Sequence, residues 1–114
     1  MRFDVITLFP ELFAPFLSHG INRRAFESRQ VDVRLWQLRD FAEGNYRRVD
    51  DRPFGGGPGM VMKAEPWGQA IDSVRGQGPP GADPVLVIPT PSGRRFDQTV
   101  APELAARPWI IFAC

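Results

Sequence analysis

The chain has one cysteine, one histidine and one lysine among 114 residues, and each scarcity closes off a class of chemistry. A lone Cys114 excludes an internal disulfide, and with His19 alone no zinc-type ligand cluster can form. No hydrolase triad is visible. His19 ends an amphipathic segment beside Gly20, where positive charge suits a helix dipole, so it reads as a cap. Cys114 closes an apolar run and reads as a small core residue, not a nucleophile. Long hydrophobic runs are missing as well. The longest, Trp109–Cys114, has six residues, against the roughly 20 that span a bilayer. Met1-Arg2-Phe3-Asp4-Val5 puts an acid where a signal peptide needs its apolar stretch, so a cytoplasmic protein is expected.

What is present has the balance of an ordinary soluble domain with a single core, 43% hydrophobic and 24% charged. The net charge of +1 advertises no global field for nucleic acid. The basic set is nevertheless skewed, with thirteen Arg to one Lys63. Arg is the better bidentate partner for phosphate and the better stacker on bases. Eight of these Arg lie between Arg23 and Arg52, where six acids accompany them. Charge pattern alone favours a solvated, ion-paired surface there over an RNA-binding patch.

The periodicities alternate between strand and helix. Arg2–Leu8 is β-rich and reads as a strand. Pro10 and Glu11 open a helix whose Leu12, Phe13, Phe16 and Leu17 form one apolar face, with Gly20 as its stop. A short helix over Asn22–Ser28, capped by Asn22, precedes a half-buried strand on Val31, Val33 and Leu35. Phe41 to Gly59 has almost no periodicity, and a connection of that length is functional or disordered. Met60–Met62 is a short strand, and Glu65–Val74 is a helix with Trp67, Ala70, Ile71 and Val74 on one side. Gly76–Gly81 is loop. Pro84–Ile88 is continuously apolar, the pattern of a strand covered on both faces. Asp97 caps a helix over Gln98–Ala106, and Trp109–Cys114 is a second apolar strand. The order predicts an α/β fold, a mostly parallel sheet with helices on both faces. In such sheets ligands bind beyond the carboxyl ends of the strands. A chain ending on a central strand is therefore expected to be a fragment.

Two segments stand out for chemistry. Pro53-Phe54-Gly55-Gly56-Gly57-Pro58-Gly59 packs four glycines and two prolines into seven residues, directly after Asp50, Asp51 and Arg52. Glycine supplies left-handed backbone or close approach, and the prolines stiffen what it loosens. No Gly-Lys-Ser/Thr follows, so it is no P-loop, and no Gly-x-Gly-x-x-Gly dinucleotide frame surrounds it. Composition leaves both a flexible connector and a ligand-holding loop open. The carboxylates are suited to acid–base work or to Mg²⁺, though charge pattern favours ion pairs with Arg47, Arg48 or Arg52. The second segment, Pro89-Thr90-Pro91-Ser92-Gly93-Arg94-Arg95, follows the apolar strand and offers hydroxyls and free amides to a polar ligand.

Four blocks in this order and spacing carry a resemblance: Phe9-Pro10-Glu11, Arg39-Asp40-Phe41, the run from Val49 to Met60, and Thr90 to Gln98. Together they closely resemble the bacterial tRNA (guanine-N1)-methyltransferase family, of the trefoil-knotted SPOUT class, over essentially the whole chain. The resemblance implies a SPOUT-type α/β domain and a homodimeric enzyme using S-adenosyl-L-methionine to methylate guanine N1, 3′ of the anticodon in tRNA. It implies cofactor contacts from Ile88, Pro89, Thr90, Pro91 and Gly93. Asp50, Arg52, Gly55, Pro58 and Gly59 are implied on the side of the anticodon stem-loop, with Gly59 closest to the guanine. Residues 1–114 correspond to the N-terminal part of that domain. The rest of the knot, the C-terminal helical domain and the aspartate general base are expected beyond Cys114, so this chain alone is expected to be inactive. The rival reading is a non-catalytic RNA- or nucleotide-binding module using the same loops. A Mg²⁺ requirement is not legible.

Overall fold

Two apolar strands at the centre organise the molecule. A computed structural model, describing all 114 residues, has a four-stranded sheet in the order β2-β1-β6-β5. The strands are β1 (Arg2–Thr7), β2 (Asp32–Gln37), β5 (Val85–Val87) and β6 (Trp109–Ala113), all parallel. The registers Arg2↔Trp109, Asp4↔Ile111 and Ile6↔Ala113 put these residues on one face, with Trp36 opposite Ile6. Phe3, Val5, Ile110 and Phe112 occupy the other, because successive side chains alternate.

The first face is closed by α3 (Ala64–Gly76). Pro66 in its opening turn, Glu65 beside the positive N-terminal end and Arg75 in the last turn all suit a helix of this direction. Ala70 and Val74 join Ile6, Leu38, Val49, Trp109 and Ile111 in one buried cluster. The second face lies under α1 (Ala14–Ser18), α2 (Arg23–Glu27) and α4 (Val100–Ala105). Here packing is incomplete: a cavity of about 470 Å³ separates Phe13, Phe16 and Phe26 from Phe3, Val5 and Phe112. This division follows from handedness. The connections from β1 to β2 and from β5 to β6 step one way across the sheet, and the connection through α3 steps back. Right-handed crossovers then require opposite faces.

A carboxylate with no solvent exposure pins the strands together. Asp4 Oδ1 accepts from Trp36 Nε1 at 2.8 Å and Arg2 Nη2 at 3.0 Å. Its Oδ2 accepts from Trp109 Nε1 and Arg2 Nε, both at 2.7 Å. Arg2 Nη1 reaches on to the Gln77 carbonyl at 2.8 Å, fastening the exit of α3, and the guanidinium lies 5.3 Å from the Trp109 ring centroid. Gly78 passes so close to that indole that a Cβ there would overlap its ring.

Several expectations are corrected. The apolar run 84–88 holds only a three-residue strand, half-buried and paired with β6 alone because the sheet order ends on it, and its Ile88 is exposed loop. The helix after Pro10 is a 3-10 turn (Pro10–Phe13) followed by α1, with Leu12 71% and Phe16 55% exposed. Asn22 is itself in helical conformation and its side chain caps nothing. Cys114 is exposed, not core. The aperiodic stretch 41–59 contains β3 (Asp50–Asp51), antiparallel to β4 (Val61–Met62). Asp97 does bind the start of the next helix, but by bonding Thr99 and Val100, so α4 begins at Val100.

Candidate functional site

Both singled-out loops lie on the carboxyl side of the sheet, one from each edge strand. After β5 the chain enters a turn closed by Gly93 N–H donating to the Thr90 carbonyl at 3.1 Å. The Thr90 hydroxyl accepts from Ser92 N–H at 3.2 Å and lies 3.0 Å from the Ser92 hydroxyl. Arg94 then makes a bidentate pair with Glu103, 2.9 Å on each arm, tying the turn to α4. That pair raises the Arg94 guanidinium above its ordinary value and lowers the Glu103 carboxyl, the mutual hydrogen bond being the main cause. Asp97 is lowered chiefly by the Thr99 hydroxyl. Ile88, Pro89, Thr90, Pro91 and Gly93 all line one cavity of about 930 Å³, whose floor includes Phe3, Ile110 and Phe112. All five residues assigned to one ligand are thus brought together.

The other loop starts from β2. A 3-10 turn (Leu38–Phe41) leads to Val49, which is buried and whose carbonyl accepts from Lys63 N–H at 2.8 Å. This anchor fixes the base of the β3–β4 hairpin, with Asp50 opposite Met62 and Asp51 opposite Val61. Between the strands Gly55, Gly56, Gly57 and Gly59 have φ of 84°, 84°, 117° and 87°. A Cβ at any of them would meet open space, so it is the left-handed backbone that requires glycine. Arg52, Gly55, Pro58 and Gly59 are exposed, Asp50 is half-buried, and Phe54 stands fully in solvent. The expected ion pairs of Asp50 and Asp51 do not form. Arg47 pairs instead with Asp40 at 3.5 Å, and Asp51 accepts only from the Arg52 amide, at 2.7 Å. No three His, Cys, Asp or Glu side chains gather as metal ligands, so these carboxylates stand as a pair without a larger donor set.

The two loops are not brought into one pocket. Their parent strands are the outer members of the sheet, three spacings apart, roughly 14 Å. Between them end β1 and β6, where exposed Cys114 has its thiol pushed up by desolvation, partly offset by the Thr7 hydroxyl. His19 is the C-cap of α1, its backbone N–H donating to the Pro15 carbonyl at 3.1 Å, and its ring nitrogen Nδ1 lies 2.8 Å from the Ser18 hydroxyl. Sequence reasoning missed the Val49 anchor, which an isolated apolar residue ahead of two acids signals, and the Asp4 network, which nothing local signals. No helix is long and apolar enough to cross a membrane.

Comparison with known proteins agrees along the full length. The family described as tRNA (Guanine-1)-methyltransferase TrmD matches residues 1–114. The tRNA (guanine-N(1)-)-methyltransferase of Leptothrix cholodnii is 60% identical over 114 residues, covering all of this chain and 45% of the relative. That of Thermobifida fusca is 49% identical over 114 residues, covering all of this chain and 43% of the relative. The crystal structure of tRNA (m1G37) methyltransferase from Aquifex aeolicus matches with a TM-score of 0.87 at 34% identity, over 100% of this chain and 50% of that one. The chain thus spans about half the length of these relatives. Its mostly parallel α/β sheet is of the same SPOUT type. The family match and the structural match both run along all 114 residues, and the chain belongs to the tRNA (guanine-1)-methyltransferase TrmD family.

Proposed function

We propose that this chain is the N-terminal part of an enzyme that methylates N1 of the guanine 3′ of the anticodon in tRNA, using S-adenosyl-L-methionine. The observation that carries the reading is the pair of loops on one side of the sheet, one bordering a large cavity and the other an open hairpin of bare backbone. The cavity's volume, about 930 Å³, lies within the roughly 300–1,000 Å³ of small-molecule sites. Its apolar floor suits an adenine ring, and the amides and hydroxyls of Thr90 to Gly93 suit the polar parts of the cofactor. Ile88, Pro89, Thr90, Pro91 and Gly93 are the residues that would hold it. When bound, S-adenosylmethionine supplies a methyl group on a sulfonium that is already activated.

The remaining tasks belong to the protein. Guanine N1 carries a proton at neutral pH, which a base must remove while charge develops on O6. The hairpin does the positioning, and positioning two substrates in line is the larger part of the catalysis. Gly55, Pro58 and Gly59 present backbone to the base edge, where a side chain would hold it off. Asp50 and Arg52 shape the entrance and meet RNA, Arg being suited to phosphates and splayed bases. The general base, the remaining cofactor loops, the closed knot and the dimer contacts are assigned to the half of the relatives' length that this chain does not cover.

The test is methyl transfer by the whole protein from radiolabelled S-adenosylmethionine to tRNA transcripts carrying guanine or adenine at that position. Incorporation with guanine alone, at a site that then blocks reverse transcription, is expected. No incorporation, with tRNA still bound, would establish the rival reading of an RNA-binding module. Calorimetry of the 114-residue chain with S-adenosylmethionine should give little or no heat; tight binding would mean that its loops suffice.

A further inference from the structure

The segment between the 3-10 turn and the hairpin has an order that its lack of periodicity hides. Gly44–Arg47 is a turn closed by Arg47 N–H donating to the Gly44 carbonyl at 3.3 Å. Arg47 has φ of 43°, left-handed backbone that an L side chain avoids. Such outliers persist only where the surroundings over-determine them. Here Arg39 Nη1 donates to the Arg47 carbonyl at 3.3 Å, while Asp40 accepts from the Arg47 guanidinium at 3.5 Å. Buried Leu38 before the turn and buried Val49 after it fix both ends. The turn displays Tyr46, 82% exposed, with the Arg48 guanidinium 5.7 Å from its ring centroid. Arg48 has no carboxylate partner.

We propose that Tyr46 and Arg48 form a stacking platform for an unpaired base of single-stranded RNA, immediately beside the hairpin. The assignment rests on the tRNA reading and adds a second contact to it. An exposed ring paired with a guanidinium matches the π-face of a splayed base, and such stacking needs no particular base identity. Arg39, Asp40 and Arg47 occupy one another and serve to hold the turn. The acids Asp50 and Asp51 alongside disfavour a phosphate track, which leaves the base as the feature recognised.

Tyr46 is the only tyrosine in the chain, so 3-fluorotyrosine in the whole protein gives one ¹⁹F resonance. Titration with an anticodon stem-loop RNA should shift that resonance saturably, and a blunt duplex of the stem sequence should not. Tyr46→Ala should weaken stem-loop binding by about tenfold in fluorescence anisotropy, while Tyr46→Phe should bind as the parent does. Unchanged binding by Tyr46→Ala with an unmoved resonance would overturn the platform and leave the methylation reading standing. An equal shift with the duplex would overturn it in favour of phosphate contact. Failure of the stem-loop to bind at all would remove both.

Discussion

The two ends of the central sheet are built on opposite principles. Toward the amino ends of the strands, Asp4, Arg2 and Trp109 satisfy one another, Trp36 reaches back from farther along β2 to join them, and no buried polar side-chain atom in the molecule lacks a partner. Toward the carboxyl ends the chain is glycine, proline, unpaired carboxylates and exposed aromatic rings, held only at a few buried points such as Val49. One end specifies the fold, and changes there are felt as lost stability. The other is carried by the fold and is free to meet ligands, because little of its own stability depends on it. The comparison holds only if damage to each end has a distinct signature.

The largest effect should come from Asp4→Ala. It strands a guanidinium and two indole N–H groups inside the protein, and removing one partner of a buried pair typically costs about 3–5 kcal/mol. That is a large fraction of the roughly 5–15 kcal/mol that holds a typical domain folded. Urea denaturation should find the chain largely unfolded or its midpoint greatly lowered. A midpoint near the parent's would show that the carboxylate is not what holds the strands.

Gly59→Val should be next, with the reverse signature. A β-branched residue at φ of 87° distorts the hairpin, yet its Cβ meets nothing, so the core does not feel it. In the whole protein, methyl transfer to tRNA should be abolished while the thermal midpoint moves by no more than a few degrees. Near-normal turnover would remove the proposed guanine contact. Cooperative unfolding would erase the distinction between the two ends.

Gly78→Ala damages the other end of the sheet. Like Gly59 it lies in a glycine- and proline-rich loop, and composition does not distinguish the two. Its new methyl would run into the Trp109 ring, and overpacking of that kind costs about 1–3 kcal/mol. Stability should fall by that amount in denaturant titration, with methyl transfer by the surviving folded whole protein unchanged. Two glycines in loops of similar composition would then fail for unrelated reasons.

That pair of glycines marks how far the sequence could be read. The parallel sheet was legible because β6 is wholly apolar and β1 is rich in β-branched and aromatic residues, even though the buried positions of β1 include Arg2, Asp4 and Thr7. The helix α3 was legible through its spacing, and the two candidate loops stood out through their glycine, proline and hydroxyl content. The Asp4 network was not, because its members are up to 105 residues apart and meet only once the register is set. The edge position of β5 was hidden for a related reason: an apolar run reports hydrophobicity, and which neighbours cover it is decided elsewhere. In the stretch 41–59, two-residue strands are too short to show a period, so β3 escaped notice.

The smallest effect tests whether the carboxyl-side turn contributes to stability at all. Asp97 and Glu103 both have carboxyls held below their usual range, by the Thr99 hydroxyl and by Arg94. A lowered folded value means a contribution present above the unfolded carboxylate range, near 4, and lost as the pH falls through the folded values. Both groups are fully exposed, and solvent screens exposed pairs to little net worth. The thermal midpoint should therefore be flat from pH 8 to about pH 5, with only a slight decline attributable to this turn below about pH 4. Arg94→Gln should flatten that decline further without moving the neutral midpoint. A large loss on Arg94→Gln at neutral pH would mean that the turn is part of the lock, and that the two ends of the sheet are not separate after all.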